Sequence, residues 1–340
     1  MEIDGSDPEA SSPFITCNGT AAAKLPRVFF RPPSPTADGS SESDTISVMD
    51  PRTGIVLPVS GAGYRHASCL HSAGGWLLML SGDLKPYLAE PRTGRRVDLP
   101  AMPVRPYVAA VFSVARGAPG TVVLFDREPA HPHLLVCRFS DGAGEWESYR
   151  YTSRARDFGA FTYGAMVGDE EVCYVDPMGR AITLDLRTRC WRVTCAAGWG
   201  RRNVGRGSQF FLADEMTIVR IHCPPPCYHE FRFSKLDGHR GEWVPLAEEE
   251  LDGTGWFLSS CMSGQRCFVV RGVHGRKAYL LSPDDEKRDK VGGPNRILRP
   301  LPAVRRGNVY VHDLEADTSE PLLPEPFLTT SNIWVHPDCF

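Results

Sequence analysis

Asp50-Pro51-Arg52-Thr53-Gly54 is followed 40 residues later by Glu90-Pro91-Arg92-Thr93-Gly94. Each copy leads on to a Leu-Pro pair, Leu57-Pro58 and Leu99-Pro100. Proline presets the backbone for the second position of a turn, and glycine accepts the positive φ that closes it. An acid-Pro-Arg-Thr-Gly run between two strand-like stretches therefore specifies a β-hairpin. One four-stranded propeller blade takes about 40 to 50 residues, which matches the period of the repeat.

Weaker copies extend outward from this pair. Asp185-Leu186-Arg187-Thr188-Arg189 precedes Trp191-Arg192-Val193. Arg138-Phe139-Ser140 with Gly144-Glu145-Trp146 is echoed by Arg232-Phe233-Ser234 with Gly241-Glu242-Trp243. Gly75-Trp76-Leu77-Leu78 and Gly255-Trp256-Phe257-Leu258 read as the starts of inner strands whose apolar residues face the neighbouring blade. These marks cut the chain at roughly 28–59, 68–101, 108–151, 161–195, 208–247 and 256–323. The expected fold is all-β: a single β-propeller of about six four-stranded blades over residues 27–340, behind a disordered N-terminal segment, 1–26.

The last segment is long because 282–295 reads as a charged insertion, after which Asn308-Val309-Tyr310-Val311 resumes the strand pattern. Ser34 to Asp44 reads as a polar interruption between two strands, and Ala247 to Leu251 as a single helical turn. Ile333-Trp334-Val335 is expected to pair with Val28-Phe29-Phe30 and close the ring, since closure must cover the first blade's open edge.

Composition agrees with this reading. Hydrophobic residues at 42% can fill a large core, and 32 Gly with 29 Pro interrupt the chain too often for long helices. A net charge of −3, with 38 basic and 41 acidic side chains spread along the chain, offers no global field to hold nucleic acid. No apolar run approaches the ~20 residues of a membrane helix, and the acidic start Met1-Glu2-Ile3-Asp4 is unlike a signal peptide. A cytoplasmic or nuclear location without a membrane partner follows. The 11 cysteines, scattered through stretches such as Val172-Cys173-Tyr174, read as reduced core thiols.

Ser72-Ala73-Gly74-Gly75-Trp76-Leu77-Leu78, then Glu90-Pro91-Arg92-Thr93-Gly94 and Val97-Asp98-Leu99-Pro100, resembles the signature of the plant KIB-type β-propeller domain, an F-box-associated family abundant in grasses. Weaker support comes from Asp176-Pro177 and Ile333-Trp334-Val335, and Glu90 stands where the family's turn has Asn. The resemblance implies a substrate-recognition propeller whose full-length relatives carry an N-terminal F-box that docks the Skp adaptor of a ubiquitin ligase. Residues 1–26 lack the Leu-rich helical periodicity of such a module, so direct Skp binding is not expected.

Chemistry-bearing motifs are scarce. The chain has no Gly-Lys-Ser/Thr phosphate loop, Gly-x-Ser-x-Gly elbow, His-Glu-x-x-His helix or Gly-x-Gly-x-x-Gly turn, so no catalytic or cofactor-binding residue is assigned. His222-Cys223-Pro224-Pro225-Pro226-Cys227-Tyr228-His229 holds zinc-type ligands. Its three prolines and unusual spacing favour an extended hairpin tip, and no metal is assigned. Arg201, Arg202 and Arg206 lie among glycines between two blades, where a guanidinium can pair with a partner's carboxylate or phosphate. Tyr64 and Arg65, just before the second blade, are rim candidates of the same kind. Trp76, Trp146, Trp191, Trp243, Trp256 and Trp334 recur with the blades and read as packing between them. The expected function is non-enzymatic protein binding, with an enzyme or carbohydrate-binding propeller built around a polar central channel as the alternative.

Overall fold

The computed structural model describes residues 25–30, 46–59, 64, 67–102, 107–115, 117–126, 132–139, 144–151, 158, 161, 163–168, 170–196, 208–213, 216–222, 231–259, 268–271, 273, 275–282, 308–316, 318–322 and 333–340. In chain order the first blade holds β1 (Arg27–Phe30), β2 (Ile46–Met49) and β3 (Val56–Val59), and the second β4 (Ser68–Ala73), β5 (Trp76–Leu80), β6 (Pro86–Glu90) and β7 (Arg95–Asp98). The third holds β8 (Tyr107–Ala115), β9 (Ala118–Asp126), β10 (His133–Arg138) and β11 (Glu147–Arg150). The fourth holds β12 (Tyr163–Val167), β13 (Glu171–Val175), β14 (Ala181–Asp185) and β15 (Cys190–Cys195). The fifth holds β16 (Ser208–Leu212), β17 (Ile218–His222), β18 (Arg232–Asp237) and β19 (Glu242–Pro245), followed by the one-turn helix α1 (Glu248–Leu251). The sixth holds β20 (Thr254–Ser259), β21 (Phe268–Arg271), β22 (Lys277–Ser282), β23 (Asn308–Asp313) and β24 (Thr318–Pro321). Last comes β25 (Ile333–Val335).

β25 returns to the first blade and lies antiparallel to β1, with Arg27 opposite Val335, Val28 opposite Trp334 and Phe29 opposite Ile333. The ring is thus closed as the sequence predicts. The residues beyond this strand turn under the second blade. His336 N–H donates to Ser72 Oγ at 2.9 Å, Cys339 is fully buried, and the Phe340 ring lies 6.3 Å from that of Phe29.

Six apolar clusters fill six seams between blades, which fixes how the ring holds together. Val123, Phe125 and Leu134 meet Val172, Tyr174 and Ile182 between blades three and four, and Trp76, Leu78 and Leu88 meet Val122, Leu124 and Leu135 between blades two and three. A middle strand is covered on both faces, so it is apolar without alternation: Trp76, Leu77, Leu78 and Met79 are all fully buried. Outermost strands face solvent, and β7 reads Arg-Arg-Val-Asp.

The repeated hairpin works as its residues require. Gly54 and Gly94 adopt φ of 68° and 73°, and each donates its N–H to the main-chain carbonyl of the acidic residue four positions earlier, at 2.9 Å. Asp50 Oδ1 also accepts from Arg52 N–H at 2.8 Å, and Thr93 Oγ1 donates to Glu90 Oε2 at 2.6 Å. In the fourth blade Arg189 occupies the positive-φ position, at 58°.

Trp76, Trp256 and Trp334 are buried in the seams, whereas Trp146, Trp191 and Trp243 are half-buried on or beside outer strands. Four indoles also tie blades together by hydrogen bonds: Trp76 to the Gly117 carbonyl at 3.1 Å, Trp146 to Pro100 at 3.0 Å, Trp243 to Gly179 at 2.7 Å and Trp334 to Leu258 at 2.9 Å.

Trp76 opens β5 and Trp256 is the third residue of β20, each the second strand in the order of its sheet. One expectation changes. The sixth blade has five strands in the order β21-β20-β22-β23-β24, with β20 running parallel to β22. The remaining sheets have four strands each. The insertion at 282–295 falls almost wholly outside the described residues, as do Ser34 to Asp44 and residues 1–24.

Candidate functional site

Strands alternate in direction within each of the first five blades, so successive connections lie at opposite ends of the blade. One end carries short hairpins: Ala73 to Trp76, Glu90 to Arg95, Val167 to Glu171, Asp185 to Cys190 and Asp237 to Glu242. Cross-blade bonds from Arg138 Nη2 to the Leu186 carbonyl at 2.5 Å, and from Trp76 to Gly117, place these hairpins together on one face of the ring. The other end carries the longer connections, from Phe30 to Ile46, Val59 to Ser68, Asp98 to Tyr107, Arg150 to Tyr163 and Cys195 to Ser208. Binding residues concentrate on such connections because a rigid sheet positions them while their own sequence stays free to vary.

The hairpin face is chemically occupied with itself. Asp185, Asp237 and Asp313 each accept two backbone N–H groups of their own turn, which holds all three carboxyls below the usual range. Arginines on this rim sit beside acids at long range: Arg240 to Asp237 at 3.6 Å, Arg187 to Glu170 at 3.9 Å and Arg189 to Glu147 at 3.4 Å. Such exposed pairs contribute about 0–1 kcal/mol and leave little net charge for a partner.

The connection face is less uniform. Where the second strand of a blade ends and the third begins, one residue from each meets its opposite number. In blade two these are Ser81 and Lys85, whose backbones pair at 3.0 Å while Asp83 bridges to Lys85 Nζ at 2.6 Å. In blade three they are Asp126 and His133, joined from Oδ2 to Nδ1 at 2.9 Å; His133 Nε2 in turn meets Ser148 Oγ at 2.8 Å. Asp126 and His133 are buried, whereas Ser148 is exposed on the outermost strand. In blade four they are Asp176 and Arg180, paired at 2.6 Å with the aspartate fully buried.

Blade five breaks this pattern. Its junction pairs His222 with Arg232, and Arg220 stands two residues before His222 on the same side of β17. Arg220 is only 7% exposed, and burial pushes its pKa down to about 10. His222 is held below the ordinary imidazole value by burial and by the charges of Arg220 and Arg232. Ser208 lies directly across from His222 on β16.

Arg201, Arg202 and Arg206 lie outside the described residues, in the sequence between Cys195 of β15 and Ser208 of β16. Arg65 and the Cys223–His229 stretch also lie outside them. Tyr64 is described and is 8% exposed, packed with Phe29, Cys69 and Met79 between blades one and two, where burial pushes its phenol up to about 12. Its ring is part of the seam, which leaves little of it for the rim contact expected from its position in sequence. Among the described residues no three His, Cys, Asp or Glu side chains gather as a metal set, and no helix is long and apolar enough to cross a membrane.

The Asp126, His133 and Ser148 relay and the Arg220, His222 and Arg232 cluster escape a sequence reading because their members meet across strands. Asp176-Pro177 is the junction feature that the sequence did mark, as weaker support for the family resemblance.

A family model described as a KIB1-4 beta-propeller matches residues 46–275. The chain belongs to this family. The resemblance seen in Gly75-Trp76-Leu77 and the Pro-Arg-Thr-Gly turns is therefore borne out, and the match ends just before β22, where the sixth blade departs from the common order. No curated protein matches this KIB1-4 propeller. Among solved structures it is similar to a chain of the crystal structure of a nidogen/laminin complex, with TM-score 0.39, 9% identity, and coverage of 91% of this chain and 96% of that one. It is also similar to oligogalacturonate lyase in complex with manganese, with TM-score 0.40, 11% identity, and coverage of 81% and 69%.

Proposed function

We propose that this KIB1-4 propeller is a non-enzymatic protein-binding module of the substrate-recognition type, which holds its partner on the face of the longer connections. The asymmetry between the two faces carries this reading. Local acids neutralise the turns of the hairpin face, whereas Arg201, Arg202 and Arg206 belong in sequence to the connection from Cys195 to Ser208, one of the longer connections of the opposite face.

The test uses the tagged full-length chain in two charge-reversed forms. Arg201→Glu with Arg202→Glu alters the connection face; Arg187→Glu with Arg240→Glu alters the hairpin face. Partner capture, read by mass spectrometry, is lost in the first form and kept in the second, while both retain the parent Tm. Loss of capture only in the second form would overturn the assignment of the face.

One observation favours a second reading. The Ser148, His133 and Asp126 relay has the connectivity of a hydrolase triad. It lies on the outer three strands of blade three, away from the central channel where a propeller enzyme was expected. On the binding-module reading it is a polar stitch across three strands, and a fluorophosphonate probe leaves Ser148 unlabelled.

A further inference from the structure

We infer that Leu84, in the turn between the second and third strands of blade two, is the apolar anchor of a docking surface on the connection face, and that it holds an amphipathic helix of a partner protein. This inference rests on the protein-binding reading and names the partner's chemistry at one contact.

Two turns of the same build differ at one residue. Ser81 to Lys85 joins β5 to β6 in blade two, and Asp176 to Arg180 joins β13 to β14 in blade four. In each, the first residue's N–H donates to the fifth's carbonyl at 3.0 Å, and the fourth's N–H donates to the first's carbonyl at 2.9 Å. The fifth residue's N–H donates to the first side chain, Ser81 Oγ at 3.1 Å in one turn and Asp176 Oδ1 at 2.9 Å in the other. This geometry puts the fourth residue at positive φ, 75° at Gly179 and 61° at Leu84. Glycine takes that conformation without penalty, whereas leucine is strained there.

What covers the fourth residue differs too. Gly179 is buried, and its carbonyl accepts from the indole of Trp243 in blade five at 2.7 Å. The matching tryptophan of blade three, Trp146, donates instead to the Pro100 carbonyl, and Leu84 is left 61% exposed. A lone exposed leucine needs no explanation. A leucine that is exposed, and also stands where the equivalent turn has glycine, is disfavoured twice in the unbound chain. Burial of its side chain by a partner accounts for both.

The surroundings of Leu84 select the occupant. The N–H groups of Ser81, Leu84 and Lys85, and the carbonyls of Ser81 and Lys85, are bonded within the turn, so an extended peptide finds little main-chain edge to pair with. Recognition therefore falls to side chains. Asp83 and Lys85 flank the leucine, 57% and 66% exposed and bridged to each other at 2.6 Å. An apolar knob between an acid and a base fits the hole that four side chains form on the apolar stripe of a helix, with lysine or arginine toward Asp83 and glutamate toward Lys85. The bridge leaves no net charge at the turn, so a polyanion gains nothing from it.

The test uses the full chain and a displayed library of helical peptides of about 20 residues, with leucine at i, i+3, i+4 and i+7 and randomised flanks. Peptides selected on the parent are measured by fluorescence anisotropy. Leu84→Gly and Leu84→Asn both suit positive φ and remove the apolar side chain. Each should match or exceed the parent Tm while weakening the selected peptides by at least on the order of ten-fold. Leu84→Met keeps an apolar side chain and should retain binding within about three-fold. A Tm lowered by more than about 3 °C in Leu84→Gly would assign the leucine to packing and overturn the inference. Failure to select any helix, or equal selection of a library broken by a central proline, would overturn it as well. If Leu84→Gly binds the selected peptides like the parent while partner capture still depends on Arg201 and Arg202, this inference fails and the protein-binding reading stands.

Discussion

Gly164→Ala is the sharpest test of how the blades meet. Gly164 lies on β12, the innermost strand of blade four, and a Cβ built there would come within 2.1 Å of Cζ at the tip of the Phe125 ring, on β9 of blade three. Phe125 is fully buried and has little room to retreat, since Phe161 lies 4.7 Å from it, centroid to centroid. No positive φ is involved at Gly164, so the cost is steric and not conformational. Inserting a methyl group into so tight a contact costs about 1–3 kcal/mol. At about 2 kcal/mol, and about 2–4 °C per kcal/mol for a large domain, Tm falls by about 4–8 °C.

The partner substitution separates this clash from any other cause. Phe125→Leu alone removes ring atoms from the seam and costs about 1–3 kcal/mol. The same change also opens the space that the methyl group added by Gly164→Ala needs. In the double variant the cost of Gly164→Ala should therefore largely vanish, giving a coupling energy of about 1–2 kcal/mol. All four proteins are compared by apparent Tm at one scan rate, because a large propeller can unfold irreversibly. Simple additivity of the two costs would refute the contact, and with it the placement of β12 against β9.

Three further outcomes are expected. Trp146→Phe and Trp243→Phe each remove one indole bond to a neighbouring blade, costing about 1 kcal/mol apiece, and add within about 0.5 kcal/mol because they lie in different seams; strong coupling in thermal melts would contradict this. Asp83 is held down to about 2 by Lys85 and Ser81, and Asp185, Asp237 and Asp313 also lie below the usual range. Their stabilisation is present above the unfolded value of about 3.9 and is lost as pH falls toward 2, so a Tm that stays level from pH 5 to pH 2.5 would exclude these turn contacts. Among the described cysteines only Cys190 is exposed, while burial pushes Cys137 up to about 11 and Cys173 up to about 12. Native alkylation followed by peptide mapping should therefore modify Cys190 and spare Cys69, Cys137, Cys173, Cys195 and Cys339.

The sequence made the fold legible wherever a turn required particular residues. Gly54 and Gly94 had to accept positive φ, so the hairpin spacing exposed the blade period, and the apolar runs around Trp76 and Trp334 exposed the seams. The sixth blade was not legible. Its parallel pair, β20 with β22, joins strands that are not consecutive, and no local residue choice announces such a partner. Arg189 shows the converse limit: it adopts positive φ without being glycine, so its turn read only as a weak copy.

The candidate site was legible only as composition. Arg201, Arg202 and Arg206 stood out because arginines among glycines are conspicuous along a chain, whereas Arg220, His222 and Arg232 become a cluster only when β17 and β18 take their register. A shift of one residue in that register would turn Arg232 away from His222 and set Phe233 in its place. Phe233 instead packs against Trp256 in the seam with blade six, ring centroids 4.7 Å apart and tilted by 43°, so the packing of that aromatic pair fixes the basic cluster in position. The apolar alternation that builds one seam thus decides which polar groups gather in the next.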